Sequence, residues 1–112
     1  MDERDDNGNR VLTDAEAREL VGKTILIGVT YRDQSGAEIQ QSQMHGVVVS
    51  ASAKGVEVSL RGEQHGRNLS LPPDPRFFRV ASPGNYRLRG TGEVVHNPQL
   101  LCTADVTVPT NH

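Results

Sequence analysis

Apolar and polar residues alternate along most of this chain, and the period changes once. From Lys23, Ile25, Ile27, Val29 and Tyr31 alternate with Thr24, Leu26, Gly28 and Thr30. That period of two predicts a strand with one strongly buried face. Asp33-Gln34-Ser35-Gly36 is turn chemistry, and a second strand follows it. This strand is polar through Glu38, Gln40 and Gln41 and apolar through Met44, Val47, Val48 and Val49. Gly46 in its middle predicts a bulge or bend. Val56, Val58 and Leu60 alternate with Glu57 and Ser59, and Leu69 with Leu71 makes a short strand that Pro72-Pro73 ends. Asp74-Pro75-Arg76-Phe77-Phe78 reads as a single helical turn. Tyr86 with Leu88, Val94 with Val95, and Thr103 to Val108 supply the remaining strand candidates, separated by Pro83-Gly84, Gly90-Thr91-Gly92 and Asn97-Pro98.

Ahead of the strands the pattern is helical. Thr13 stands three residues before Glu16, the spacing of a capping box. Residues 15–20 are good helix formers and Gly22 suits the position past the helix end. The prediction is a helix of about two turns, too short to build a core alone. Residues 1–11 are polar and charged and predict a disordered acidic tail. Residues 12–108 form a single domain, and residues 109–112 are a disordered C-terminus.

Short strands with turn signals at close intervals, 11 glycines and six prolines predict a mainly β protein: an antiparallel barrel or a sandwich. At 112 residues a barrel is favoured, because closure removes exposed edges. The specific expectation is a small SH3-like antiparallel barrel of five or six strands behind a short N-terminal helix.

Leu20-Val21-Gly22-Lys23-Thr24-Ile25-Leu26-Ile27-Gly28-Val29-Thr30-Tyr31 opens a recognisable pattern. Leu71-Pro72-Pro73-Asp74, Pro83-Gly84-Asn85-Tyr86-Arg87-Leu88 and Thr91-Gly92-Glu93-Val94-Val95 continue it. Together they resemble a family of small, uncharacterised bacterial β-barrel proteins, over roughly residues 20 to 108. The resemblance implies a compact bacterial cytoplasmic domain and carries no activity. Those proteins tend to have a longer, aromatic-containing final strand than Leu100-Leu101-Cys102-Thr103-Ala104 offers.

Composition narrows the chemistry. No apolar run reaches the ~18 residues of a membrane span, and residues 1–10 lack the apolar stretch of a signal peptide, which points to the cytoplasm. The single cysteine, Cys102, excludes an internal disulfide and any Cys₂ or Cys₄ zinc site. Among apolar neighbours, it reads as a small buried hydrophobe. The histidines at 45, 65, 96 and 112 fall into no metal-ligand spacing, and His45 beside Gly46 reads as an exposed strand residue. Gly90-Thr91-Gly92 lacks the Lys and following helix of a phosphate loop. The mid-chain acids stand one per turn or strand, so no pair for general acid and base work is implied. The expectation is a protein that is not an enzyme and needs no cofactor or metal.

The net charge of −2 hides a gradient. Residues 1–20 carry seven acidic against three basic side chains, whereas residues 61–96 carry six arginines against three acids. Arg76, Arg79, Arg87 and Arg89 interleave with Phe77, Phe78 and Tyr86. Arg suits carboxylate or phosphate recognition better than Lys does. A protein-interaction module is therefore the leading expectation, with Tyr31, Arg76, Phe78, Arg79, Tyr86, Arg87 and Arg89 as its candidate contact residues. The alternative is single-stranded nucleic-acid or other anionic-ligand binding through the same Arg/aromatic face. The Gln-rich stretch Glu38-Ile39-Gln40-Gln41-Ser42-Gln43 either pairs with a partner strand or is a solvated hairpin arm.

Overall fold

A computed structural model describes residues 10–109 together with the backbone of Glu3 and Arg4. The elements in chain order are β1 (Glu3–Arg4), β2 (Arg10–Val11), α1 (Asp14–Leu20), β3 (Thr24–Arg32), β4 (Glu38–Ser52), β5 (Gly55–Leu60), β6 (Asn68–Leu71), β7 (Arg79–Val80), β8 (Asn85–Arg87), β9 (Val94–His96) and β10 (Leu100–Thr107). Single 3₁₀ turns occupy Gly62–Gln64 and Pro75–Phe77. The protein is mainly β, as the alternation predicts.

One six-stranded sheet, in the order β6-β5-β4-β3-β10-β7, organises the molecule, with β1-β2 and β8-β9 as separate two-stranded pairs. The sheet has two ends, β6 and β7, and among the described residues no pairing joins them into a ring. One interface departs from the antiparallel expectation. β10 runs parallel to β3, with Leu100 opposite Ile25 and Thr107 opposite Arg32. The chain turns at Asn97, which adopts a positive φ of 49°, and Gln99 docks on the first residue of β3. The Gln99 N–H donates to Thr24 O (3.1 Å) while the Thr24 N–H donates to Gln99 Oε1 (3.1 Å). The chain thus re-enters the sheet at the end where β3 begins. β10 also starts three residues earlier than the alternation at Thr103 suggests.

The two faces of β3 bury different clusters. Ile25, Ile27 and Val29 join Leu12, Leu20, Val48, Val56, Val58, Leu60, Leu71, Leu100 and Cys102 in the main core, with Tyr31, Phe77 and Phe78 packed against it. On the opposite face, Leu26 meets Leu88 and Val95, with Tyr86 and Leu101 against them. The β8-β9 hairpin is therefore a flap docked on the back of the sheet through three buried aliphatic side chains.

The glycine at position 46 of β4 is required by contact. A Cβ on Gly46 would collide with Ser59 O and meet Val58 Cγ1 at 2.8 Å, so β5 can cross here only because no side chain is present. The register shifts just beyond, between Val48 and Ser50.

Thr13 and Glu16 form the capping box: the Glu16 N–H donates to Thr13 Oγ1 (3.2 Å), and the Thr13 N–H to Glu16 Oε1 (3.0 Å). Of the tail expected over residues 1–11, only the backbone of Glu3–Arg4 and residues 10–11 are described. Glu3–Arg4 pairs antiparallel with Arg10–Val11, and Val11 is buried. Arg10 reaches Glu16 at 2.8 Å, and the Leu12 N–H donates to Pro73 O (2.8 Å). Residues 1–2, 5–9 and 110–112 lie outside the described residues.

Candidate functional site

The structure distributes the candidate contact residues over two sides of the sheet. Tyr31 and Phe78 are half-buried against the main core. Tyr86 belongs to the opposite cluster, and its hydroxyl donates to Ser82 O at 2.8 Å. Arg76 projects from the 3₁₀ turn between β6 and β7. It donates to both carboxylate oxygens of Asp74, from Nε to Oδ1 and Oδ2 (3.0 Å each) and from Nη2 to Oδ2 (2.6 Å). Asp74 also accepts the Arg76 backbone N–H (2.9 Å), which caps the turn. The Arg76 hydrogen bonds hold the Asp74 carboxyl below its ordinary pKa. Arg79 lies on β7 opposite Leu101, and Arg87 is on β8 opposite Val94, both exposed. The interleaving in sequence therefore does not become one surface. Tyr31 and Phe78 are separated from Tyr86 by the thickness of the sheet.

Arg89 is the exception, because it closes on another part of the molecule. Its backbone N–H donates to Gln43 Oε1, and its Nη1 donates to Gln41 Oε1 at 3.3 Å. These partners belong to the Gln-rich half of β4, which sequence reasoning leaves between two descriptions. The pairing of β4 is unequal along its length. Its inner side pairs with β3 from Glu38 to Val47. On its outer side β5 pairs only with Gly46 to Ser52, and the Arg61 N–H extends the ladder by one bond, to His45 O (2.9 Å). Among the described residues no strand lies outside Glu38–Met44.

Alternation then identifies the groups left at that edge. In an antiparallel ladder successive residues direct their N–H and C=O groups to opposite neighbours. Val48 exchanges bonds with the segment before β3 (its N–H to Lys23 O, 3.0 Å; its C=O from the Gly22 N–H, 2.8 Å). Even-numbered residues of β4 thus face inward up to the shift after Val48. His45 faces outward through Arg61, so Gln43 and Gln41 face outward too. Their backbone donors and acceptors form a short template open to another strand.

The groove behind this edge is polar. Gly28, Thr30, Gln41, Gln43, Thr103 and Arg89 are among its lining residues, around a volume of about 260 Å³. That lies below the ~300–1,000 Å³ of small-molecule sites. The outer sides of β6 and β7 at the ends of the sheet are also unpaired among the described residues, and so is β10 beyond Leu101, which carries Asp105, 3.5 Å from Arg32. The Pro75–Phe77 turn lies beside its first residues, with Phe77 and Thr103 lining a common groove.

The position of Arg89 depends on a contact that sequence reasoning misses. His45 is half-buried rather than exposed, and its Nε2 lies 3.2 Å from Glu93 Oε2, across 48 residues of sequence. The Glu63 N–H also reaches Glu93 Oε1 (3.4 Å). The His45 hydrogen bond lowers the pKa of the Glu93 carboxyl. Gly62 makes room for it. With φ +68°, any Cβ there would overlap Glu93 Oε2 and lie 2.7 Å from His45 Nε2. This junction ties the start of β9 to β4, and the Leu88 N–H to Glu93 O bond (2.7 Å) closes the loop that carries Arg89.

Among the described residues no group of three or more His, Cys, Asp or Glu side chains could hold a metal. Cys102 is buried, and desolvation raises its thiol pKa to about 11. Among the described residues no helix is long and apolar enough to cross a membrane. A scan of protein-family models and searches of curated proteins and of solved structures found no match to this chain.

Proposed function

We propose that this chain is a non-catalytic protein-interaction module that takes up an extended segment of a partner along the outer edge of β4. One observation carries the proposal: β4 is a 15-residue strand whose first half has a partner on one side only. Strand addition at such an edge draws affinity from main-chain hydrogen bonds and specificity from alternate side chains. The description of the fold as an SH3-like barrel belongs to the same proposal. It is supported by a six-stranded sheet over an aliphatic core and by the N-terminal helix. A bacterial, cytoplasmic setting rests on the sequence resemblance and the absence of a long apolar run.

Nucleic-acid or other anion binding on the Arg/aromatic face draws less support. Phe78 and Tyr86 pack into different clusters, which leaves the arginines without a shared stacking platform.

The test is selection from a peptide library against the wild type, followed by solution binding to Gln41→Pro. Proline removes one outward N–H and leaves the inner ladder intact. Peptides that bind the wild type and lose about tenfold, the scale of one hydrogen bond, on Gln41→Pro support strand addition. No recovered binder, or binders indifferent to the substitution, would overturn it.

A further inference from the structure

We infer that the segment taken up at β4 is acidic, with alternate carboxylates directed to the side of the sheet where Arg89 lies. The inference rests on the strand-addition reading and adds the partner's chemistry. A strand laid against Glu38–Met44 continues the sheet, so every second side chain would stand on the face of Gln41 and Gln43. Arg89 overhangs that face, held by its backbone bond to Gln43 and its Nη1 contact with Gln41. One end of its guanidinium is thereby oriented by a neutral amide, and no acidic side chain pairs with it among the described residues. A planar, oriented guanidinium is matched by a carboxylate, which can accept two parallel N–H bonds. Arg87, exposed on β8 of the same flap, adds positive charge to that side.

The same charge disfavours two other occupants. In a second copy paired edge to edge about Ser42, the two-fold axis would bring both Arg89 side chains to one groove, where like charges repel. A basic strand would meet Arg89 directly. On the flank of the edge, Glu38 is engaged by Gln41 Nε2 (3.3 Å), and Glu93 is held against His45. Glu93 is thus paired and Glu38 stands at the first residue of β4, while the arginine of the groove is bound only by neutral amides.

The experiment titrates ¹⁵N-labelled protein with three blocked heptapeptides. These share a Thr-Val-X-Val-X-Val-Thr pattern, with X as Glu, Gln or Lys. The expected result is that the Glu peptide shifts the Gln41 and Gln43 amides and binds about tenfold tighter than the Gln peptide, the scale of charge-assisted hydrogen bonds. The advantage should shrink as salt is raised and disappear in Arg89→Gln, whose melting temperature stays near that of the wild type. Equal binding of the Glu and Gln peptides at those amides overturns the acidic preference and leaves strand addition standing. If no peptide moves those amides, strand addition itself fails. Two further outcomes overturn the inference: a single-stranded oligonucleotide that binds there more tightly than the Glu peptide, or concentration-dependent protection of the edge by a second copy.

Discussion

Leu88→Ala tests whether the β8-β9 flap is held by its small apolar cluster. Leu88 is 2% exposed and sits between Leu26 and Val95, each 8% exposed. Truncation removes three carbons' worth of buried surface and leaves a cavity, and buried Leu→Ala substitutions cost roughly 2–5 kcal/mol. The low half of that range applies here. The cluster has only three buried members, it lies apart from the main core, and a two-stranded flap relaxes into a cavity more readily than a central strand does. A loss of about 2.5 kcal/mol corresponds to a fall in Tm of roughly 10–20 °C for a domain of this length. The assay is thermal unfolding by circular dichroism, paired with amide exchange at Val95 and His96. Exchange should accelerate in the flap before it does at Ile27. A fall in Tm below about 3 °C, with exchange at Val95 unchanged, would refute the packing argument. It would mean that the His45–Glu93 junction alone holds the flap.

Four further outcomes follow from the same structure. Gly46→Ala forces a Cβ onto Ser59 O and should lower stability by about 1–3 kcal/mol, read as a drop in the urea midpoint. Because its hydrogen bonds lower the folded-state pKa of Glu93, the junction stabilises the protein fully above the unfolded carboxylate pKa of about 4.3. That contribution is lost as pH falls through the lower folded value. Glu93→Gln should therefore flatten the acid limb of the stability profile between about pH 5 and pH 3, measured by urea titration at each pH. Cys102, buried with its thiol raised to about 11, should resist a thiol reagent at pH 8 in the native protein and react fully in urea; rapid native labelling would contradict its burial. Ser42→Pro removes an inward N–H of the β3-β4 ladder and should cost about 2 kcal/mol, whereas Gln41→Pro should leave Tm within a few degrees. Equal costs would show that the assignment of inward and outward residues is wrong.

Local features of this fold are readable from the chain, and long-range ones are not. The capping box of Thr13 and Glu16, the alternation of β3 and β5 and the Asp74 turn depend on residues a few positions apart. Periodicity and turn chemistry reveal those directly. The parallel placement of β10 depends on Gln99 meeting Thr24 across 75 residues, which no local pattern encodes. The Arg/aromatic interleaving misleads for a related reason. Proximity along the chain from Phe78 to Tyr86 spans a crossing from one face of the sheet to the other. His45 illustrates the same limit: its neighbours Met44 and Gly46 describe an ordinary strand position, and its partner Glu93 arrives on a different hairpin. A signal for the Gln-rich edge was present. Five of the six residues that precede the apolar half of β4 are polar, which fits a strand covered on its outer side only along its second half.

Amide hydrogen exchange along β4 in the free protein tests the central claim most directly. The account predicts protected amides at Ser42 and Met44, which face β3, and fast exchange at Gln41 and Gln43, which face solvent. Equal protection of all four would contradict it, because the outer edge would then already be occupied and could not receive a partner strand.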